Sequence, residues 1–175
     1  MSSLGVHLVQ GGLATAVLYP LVGTDALWCG ASVVLIDLDH VVEYLRQTRC
    51  WNPFGVFACS SVIEHNLDKG FLVLNVAHTL EWFVLVSIVA CWVPVLWWVV
   101  AGGLFHMALD FLHLGRHKQV RARAVSIIEY LLRKRSGRYI TSVRELLGRS
   151  DLRQPDPDRL RDWARQWNMR IAAND

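Results

Sequence analysis

Four long apolar segments alternate with short polar links in the first two thirds of the chain. Each segment approaches the roughly 20 residues that an α-helix needs to cross the hydrocarbon core of a bilayer. The links near Thr24 and Pro94 are very short, which predicts two helical hairpins. The pattern therefore predicts an all-α fold in which residues 1–115 form a four-transmembrane-helix bundle. The segments are about Leu4–Gly23, Asp25–Leu45, Gly70–Val93 and Val95–Gly115.

From residue 116 onward the pattern becomes that of soluble helices. Val120–Arg135 carries apolar residues at helical spacing, and Ser142 and Glu145 fit a capping box. Asp156-Pro157 places an N-cap residue before a proline at the first helical position. We therefore expect residues 116–175 to form a small basic helical region outside the membrane.

Charge separates the same two parts of the chain. Only three of the 18 Lys and Arg residues precede residue 116, namely Arg46, Arg49 and Lys69, so residues 1–115 carry a net charge of −5 and residues 116–175 carry +8. If there are four spans, all of these basic residues lie on one side. By the positive-inside rule, the chain is a multi-pass membrane protein with both termini in the cytoplasm.

The predicted spans contain ionisable residues that a bilayer penalises. At 1.5 Å per residue these side chains lie about 3–17 Å from the cytoplasmic ends of their helices, and the outer halves hold almost none. Four independent segments therefore bring their polar residues to one layer. The residues are His7, Asp37, Asp39, His40, His78, Glu81, His106, Asp110 and His113.

The spacing of these residues favours a shared site. His106, Asp110 and His113 follow the i, i+4 and i, i+3 spacing of one helix face, and so do His78 and Glu81. Four acidic side chains left unpaired in the bilayer would cost on the order of 10 kcal/mol. Since no Lys or Arg lies in any predicted span, the remaining options are protonation, water or a cation.

Converging imidazoles and carboxylates suit a divalent metal, with zinc favoured over manganese or iron. The candidates exceed one tetrahedral set, which fits two metal ions, or one ion with a surrounding hydrogen-bonded shell. Each motif taken singly has a simpler interpretation, such as a histidine that bonds neighbouring helices or a wet helix end near the interface.

The motifs together resemble the integral-membrane, metal-dependent hydrolase family of bacterial inner membranes, which is itself similar to the zinc-dependent phospholipase C and nuclease group. The resemblance covers residues 1–115. Ile36 stands where the family usually has proline, and of the third motif only its last histidine is clear. The matching positions are His7, Asp37-Leu-Asp39-His40, His78 and Gly103-Leu-Phe-His106-Met-Ala-Leu-Asp110.

This resemblance implies a hydrolase that uses metal-activated water on a lipid or lipid-linked ester or phosphoester, at the cytoplasmic leaflet of the bacterial inner membrane. Phosphoester is slightly favoured. Glu81 or Asp37 is the expected general base. The expected metal ligands are Asp39, His40, His78, His106 and Asp110, followed by His7 and Asp37.

Two other functions compete with the hydrolase. The same residues could serve a metal or proton transporter or sensor, although the outer halves of the spans lack a polar path. Two of His40, His78 and His106 could ligate haem, although haem has no need of the carboxylates.

The basic tail has two interpretations of its own. It is a cap held on anionic lipid headgroups, which we favour, or a docking module for a protein or nucleic acid. Nucleic acid is the less favoured partner, and the sequence is compatible with a homo-oligomer.

Overall fold

The structure, a computed structural model, describes residues 4–48, 55–56, 59–60, 63, 66, 70, 72–116, 123–141 and 145. Within these residues the regular structure is helical, as expected, with 3₁₀ turns at Gly23–Asp25 and Val76–His78. Two compact units are formed, one by Met1–Leu38 with Val76–Val120 and the other by Asp39–Asn75 with Arg121–Asp175. The helices are α1 (Leu4–Val22), α2 (Ala26–Leu35), α3 (Leu38–Thr48), α4 (Leu80–Ala90), α5 (Leu96–Arg116) and α6 (Ile127–Arg135).

Helices α1 and α2 form the first predicted hairpin. Gly23 turns the chain between them with a φ of +62°, a conformation that glycine adopts without strain. The Thr15 hydroxyl donates to the Ala26 carbonyl at 3.4 Å. A Cβ atom on Gly11 would lie 2.6 Å from the Gly30 carbonyl oxygen, so the two backbones are nearly in contact. Such close approach through small residues is typical of helix pairs in membranes.

Helix α2 also packs against α5, and α4 packs against α5. Gly102 lies against the backbone of Cys29, where a Cβ atom would meet the Cys29 carbonyl oxygen. The Ser32 hydroxyl donates to the Val99 carbonyl at 2.7 Å and ties α2 to α5. A close glycine contact and this hydrogen bond therefore help to hold α2 against α5.

The second and third segments differ from their predicted bounds. Asp25–Leu45 is not one helix, because α2 ends at Leu35 and a turn at Ile36 and Asp37 precedes α3. Gly70–Val93 is helical only from Leu80 to Ala90, after a 3₁₀ turn.

A capping residue explains the late start of α4. Thr79 is extended (φ −94°, ψ 154°), and its side chain accepts a hydrogen bond from the Trp82 amide at 3.4 Å. This is the geometry of an N-cap residue, which begins a helix at the following position.

Two stretches are long and apolar enough to cross a membrane, Gly5–Arg46 and Leu96–Arg116. The first comprises α1, α2 and α3. In each, only 28% of the most apolar window is buried, whereas the core helix of a soluble protein would bury most of it. The side chains left exposed on α1 are large and apolar, including Leu8, Val9, Leu13, Val17 and Leu21.

The second unit has its own small core, which Leu72, Ala124 and Tyr130 form with Leu74 and Tyr139 packed against them. Val73 and Arg123 pair in a parallel bridge, and the Leu72 amide donates to the Ile140 carbonyl at 2.8 Å.

Helix α6 lies within the predicted helix Val120–Arg135 but begins at Ile127. Its N-cap is Ser126, whose hydroxyl accepts from the Ile128 and Glu129 amides. The Glu129 side chain accepts from the amide of Val125, the residue before the N-cap, at 2.9 Å. The arrangement is close to a capping box. The helices predicted at residues 142–175 lie outside the described residues, and the boundary at residue 115 stays a prediction.

The glycine contact between α2 and α5 gives a direct test of the packing. Gly102→Ala places a methyl group against the Cys29 backbone, and overpacking of this kind costs about 1–3 kcal/mol. We expect a lower melting temperature in detergent. The matched control is Gly12→Ala, which meets nothing within 4 Å and gains up to about 1 kcal/mol in helix propensity. Equal melting temperatures for the two variants would contradict this packing.

Candidate metal centre

Five of the predicted site residues come together in the first unit. His7 is on α1, Asp37 is in the turn after α2, and His78 ends the 3₁₀ turn before Thr79. His106 and Asp110 lie one turn apart on α5. The three imidazoles are buried, with 0–3% of each residue exposed. We call these five residues the His/Asp cluster.

Four ligand atoms of the cluster lie close together, with five of their six mutual distances between 3.3 and 4.0 Å. His78 Nε2 and His106 Nε2 are 3.3 Å apart, and each lies 3.4 Å from Asp37 Oδ1. Asp110 Oδ2 is 3.4 Å from His106 Nε2 and 4.0 Å from His78 Nε2. In a tetrahedral zinc site with ligands about 2.0–2.1 Å from the metal, the ligand atoms are about 3.3–3.4 Å apart. The donor set and its spacing therefore fit one tetrahedral divalent cation.

A backbone carbonyl fixes the orientation of the His106 ring. His106 Nδ1 lies 2.9 Å from the Val33 carbonyl oxygen. A carbonyl oxygen only accepts, so Nδ1 carries a proton and donates it, and in the neutral ring Nε2 holds the lone pair that faces the cluster. Metal-ligating histidines are oriented in this way in known metal sites.

The two close histidine nitrogens are compatible with a shared cation. His78 Nε2 and His106 Nε2 are 3.3 Å apart, and in the neutral rings with Nε2 unprotonated both lone pairs can bind one cation together with Asp37 and Asp110. Without a cation, the same two imidazoles can each donate to a carboxylate.

Asp37 links this set to a third histidine. Its Oδ1 atom faces His78 and His106, and its Oδ2 atom lies 3.2 Å from His7 Nε2. The rings of His7 and His106 stack with their centroids 4.6 Å apart. Ligand atoms of His7, His106 and Asp110 also lie within 4.8 Å of one another. Because its two oxygens face different histidines, the Asp37 carboxylate could bind one metal ion or bridge two metal ions.

Three predicted site residues, Glu81, Asp39 and His40, are not among the five residues of the His/Asp cluster. Glu81 is half-buried in the first turn of α4 and is outside the groups of converging ligand atoms found among the described residues. Asp39 and His40 belong to the second unit, where His40 Nε2 is 3.5 Å from Asn75 Nδ2. The expected roles of Glu81, Asp39 and His40 stay predictions.

Sequence reasoning missed the Val33 carbonyl and the two-sided contacts of Asp37. A backbone carbonyl leaves no signal in a sequence, whereas the turn that positions Asp37 follows an apolar run with no helix-breaking residue.

Comparison of the chain with protein-family models, with curated proteins and with solved structures gave no match. The chemistry of this site must therefore be argued from its geometry.

Metal content tests the cluster. We expect protein purified without chelator to hold at least one equivalent of a divalent metal by elemental analysis, and His106→Ala and Asp37→Ala to lose most of it, because each removes a ligand of the tetrahedral set. His113→Ala is the matched control, since His113 is on the same helix but outside the converging groups. Wild-type protein without metal, or metal retained equally by all three variants, would contradict the assignment.

Proposed function

We propose that the chain is a membrane-embedded, metal-dependent hydrolase that cleaves an ester or phosphoester bond of a lipid or lipid-linked substrate at the cytoplasmic leaflet of a bacterial inner membrane. The observation that carries this proposal is the set of four ligand atoms with five of their six mutual distances between 3.3 and 4.0 Å. The set lies in a unit whose exposed side chains are mostly large and apolar.

The distribution of polar and apolar residues supports a membrane location. In the first unit the buried side chains include His7, His78, Thr79 and His106, whereas leucine, valine and tryptophan side chains are exposed. This is the reverse of a soluble protein, in which a buried charge or imidazole is the exception. Ionisable residues inside a membrane protein characteristically face the interior of the bundle and mark its functional site.

A four-helix arrangement in the membrane is part of the proposal. Helices α1 and α5 are about 28 and 31 Å long at 1.5 Å per residue, close to the roughly 30 Å of the hydrocarbon core. Helices α2 and α4, of 10 and 11 residues, are too short to cross by themselves. Such discontinuous segments are tolerated at membrane depth where they line a site within the protein.

The residues of the cluster have different roles in the proposed hydrolysis. When bound, a divalent metal lowers the pKa of its water ligand toward about 7 and polarises the scissile bond. Asp37, His78, His106 and Asp110 would hold the ion, which would take the water as a fifth ligand, and the Val33 carbonyl would keep the His106 ring in place. His7 faces the second oxygen of Asp37, so the pair can take up and pass on a proton. Glu81, three residues after His78, is the alternative base.

Phosphoester is the preferred bond class, and it rests on the resemblance to the phospholipase C and nuclease group. An acyl ester is the second choice, because the same metal chemistry acts on carboxylic esters.

Turnover of a membrane lipid extract tests the function. We expect wild-type protein to release a water-soluble headgroup product or a fatty acid, detected by mass spectrometry, and the activity to disappear with a metal chelator and return with zinc. His7→Gln should keep the metal and lose on the order of 10²-fold in rate if the His7–Asp37 pair moves a proton. A metal-loaded protein that turns over no lipid in the extract would contradict the proposal.

The basic tail is proposed to rest on anionic lipid headgroups. On α6 the apolar side chains of Ile128, Leu131 and Leu132 are 57–66% exposed, while Lys134 and Arg135 are exposed beside them. A helix with exposed apolar and basic side chains is typical of attachment to an anionic membrane surface. Each basic residue near such a surface contributes about 1 kcal/mol.

A fluorescent probe tests this contact. In a variant whose native cysteines are replaced, a nitrobenzoxadiazole label on Leu131→Cys should emit at shorter wavelength in bilayers that contain phosphatidylglycerol than in pure phosphatidylcholine. Lys134→Glu with Arg135→Glu should abolish the difference, because the attraction becomes repulsion. The control pair Lys134→Arg and Arg135→Lys should keep it. Equal emission in both bilayers would show that anionic lipid does not hold the helix.

A further inference from the structure

Helices α2, α4 and α5 of the first unit surround a half-open groove of about 240 Å³. We call it the apolar groove. Its walls are formed by Ala31 and Ile36 on the α2 side, Val86 on α4, and Val99 and Gly103 on α5. The groove is separate from the four ligand atoms of the metal centre, and nothing in the hydrolysis argued above uses it.

The walls of the groove are mainly apolar. The only hydroxyl in the lining is that of Ser32, which donates to the Val99 carbonyl at 2.7 Å. Two indoles, Trp28 and Trp82, line it as well and are 53% and 39% exposed. A hydrocarbon is the occupant that suits this lining best, because a polar group placed here would lose most of its hydrogen bonds to water.

The groove is continuous with the metal centre along the chain. Ile36 precedes Asp37, and Ala77 precedes His78. Gly103 lies three residues before His106, one turn away on the same face of α5. Three elements therefore each contribute one residue to the groove and one to the His/Asp cluster.

The groove is too small to enclose a partner helix, which with its side chains is about 10–12 Å across. A single flexible hydrocarbon chain fits, and it can enter from the surface, because the lining residues Trp28 and Leu35 are exposed. We infer that the apolar groove holds one acyl chain of the substrate, so that the scissile headgroup linkage of an acyl lipid lies at the His/Asp cluster. This inference rests on the proposed function and names its substrate class.

Filling the groove tests the inference without requiring turnover. Ala31→Phe projects a ring into the groove from α2, and Val86→Phe does the same from α4. The matched control is Ala101→Phe, on an exposed position of α5 that does not line the groove. Bound metal measured in all variants reports whether the centre is still folded.

The probe is a phosphatidylcholine with a diazirine in one acyl chain, mixed into vesicles of phosphatidylethanolamine and phosphatidylglycerol. After irradiation, labelled peptides are mapped by mass spectrometry. We expect wild-type labelling at the groove walls to fall about tenfold or more in Ala31→Phe and Val86→Phe, since each methylene kept out weakens binding by roughly fourfold. Ala101→Phe should label like wild type. Equal labelling of the groove in all variants would overturn the inference.

Hydrolysis separates this inference from the function on which it rests. The groove-filled variants should lose cleavage of long-chain lipid and keep cleavage of the soluble diester bis(p-nitrophenyl) phosphate. If the variants cleave long-chain lipid as well as wild type does, the acyl-chain assignment is wrong and the hydrolase stands. If metal-loaded wild type cleaves neither compound, the proposed function and the substrate assignment both fail, whatever the labelling shows.

Discussion

Two carboxylates, Asp37 and Asp110, lie against three buried histidines in a part of the chain without lysine or arginine, since residues 1–45 and 70–115 contain neither. A salt bridge to lysine or arginine is therefore excluded within those segments, so the carboxylates need histidine or a cation as partner. One cation held by Asp37, His78, His106 and Asp110 would satisfy all four side chains. Five of the six distances among their ligand atoms are 3.3–4.0 Å, close to the spacing of a tetrahedral set.

Packing between the helices of the first unit brings the ligands of this centre together. Close backbone contacts at Gly11, Gly30 and Gly102 bring α1, α2 and α5 together, so that side chains from α1, from α5 and from the turn after α2 can reach one point. The turn at Ile36 and Asp37 ends α2 beside the centre, and the Thr79 cap begins α4 immediately after His78. The backbone is therefore irregular at Asp37 and His78, two of the residues that supply ligands. Such irregular backbone is common in membrane proteins whose sites lie within the bilayer.

Much of this arrangement was predictable from the sequence, because depth and helical spacing are properties of the pattern alone. They brought His7, Asp37, His78, His106 and Asp110 into one layer, and the structure places these five together. The extents of the second and third segments were wrong, because a long apolar run hides the turn before α3 and the cap of α4. The spacings Thr79-x-x-Trp82 and Ser126-x-x-Glu129 were the local signals for the starts of α4 and α6. Nothing in the sequence could reveal the Val33 carbonyl or the apolar groove, which depend on how helices distant in sequence pack together.

Two histidines and two aspartates are proposed to bind one cation in tetrahedral geometry. The most direct measurement is zinc-edge X-ray absorption on the zinc-loaded protein in lipid. We expect a first shell of four nitrogen and oxygen ligands at about 2.0–2.1 Å, with the outer-shell scattering of two imidazoles. A six-coordinate shell of oxygen atoms without imidazole scattering would contradict it, because the ion would then be bound away from His78 and His106.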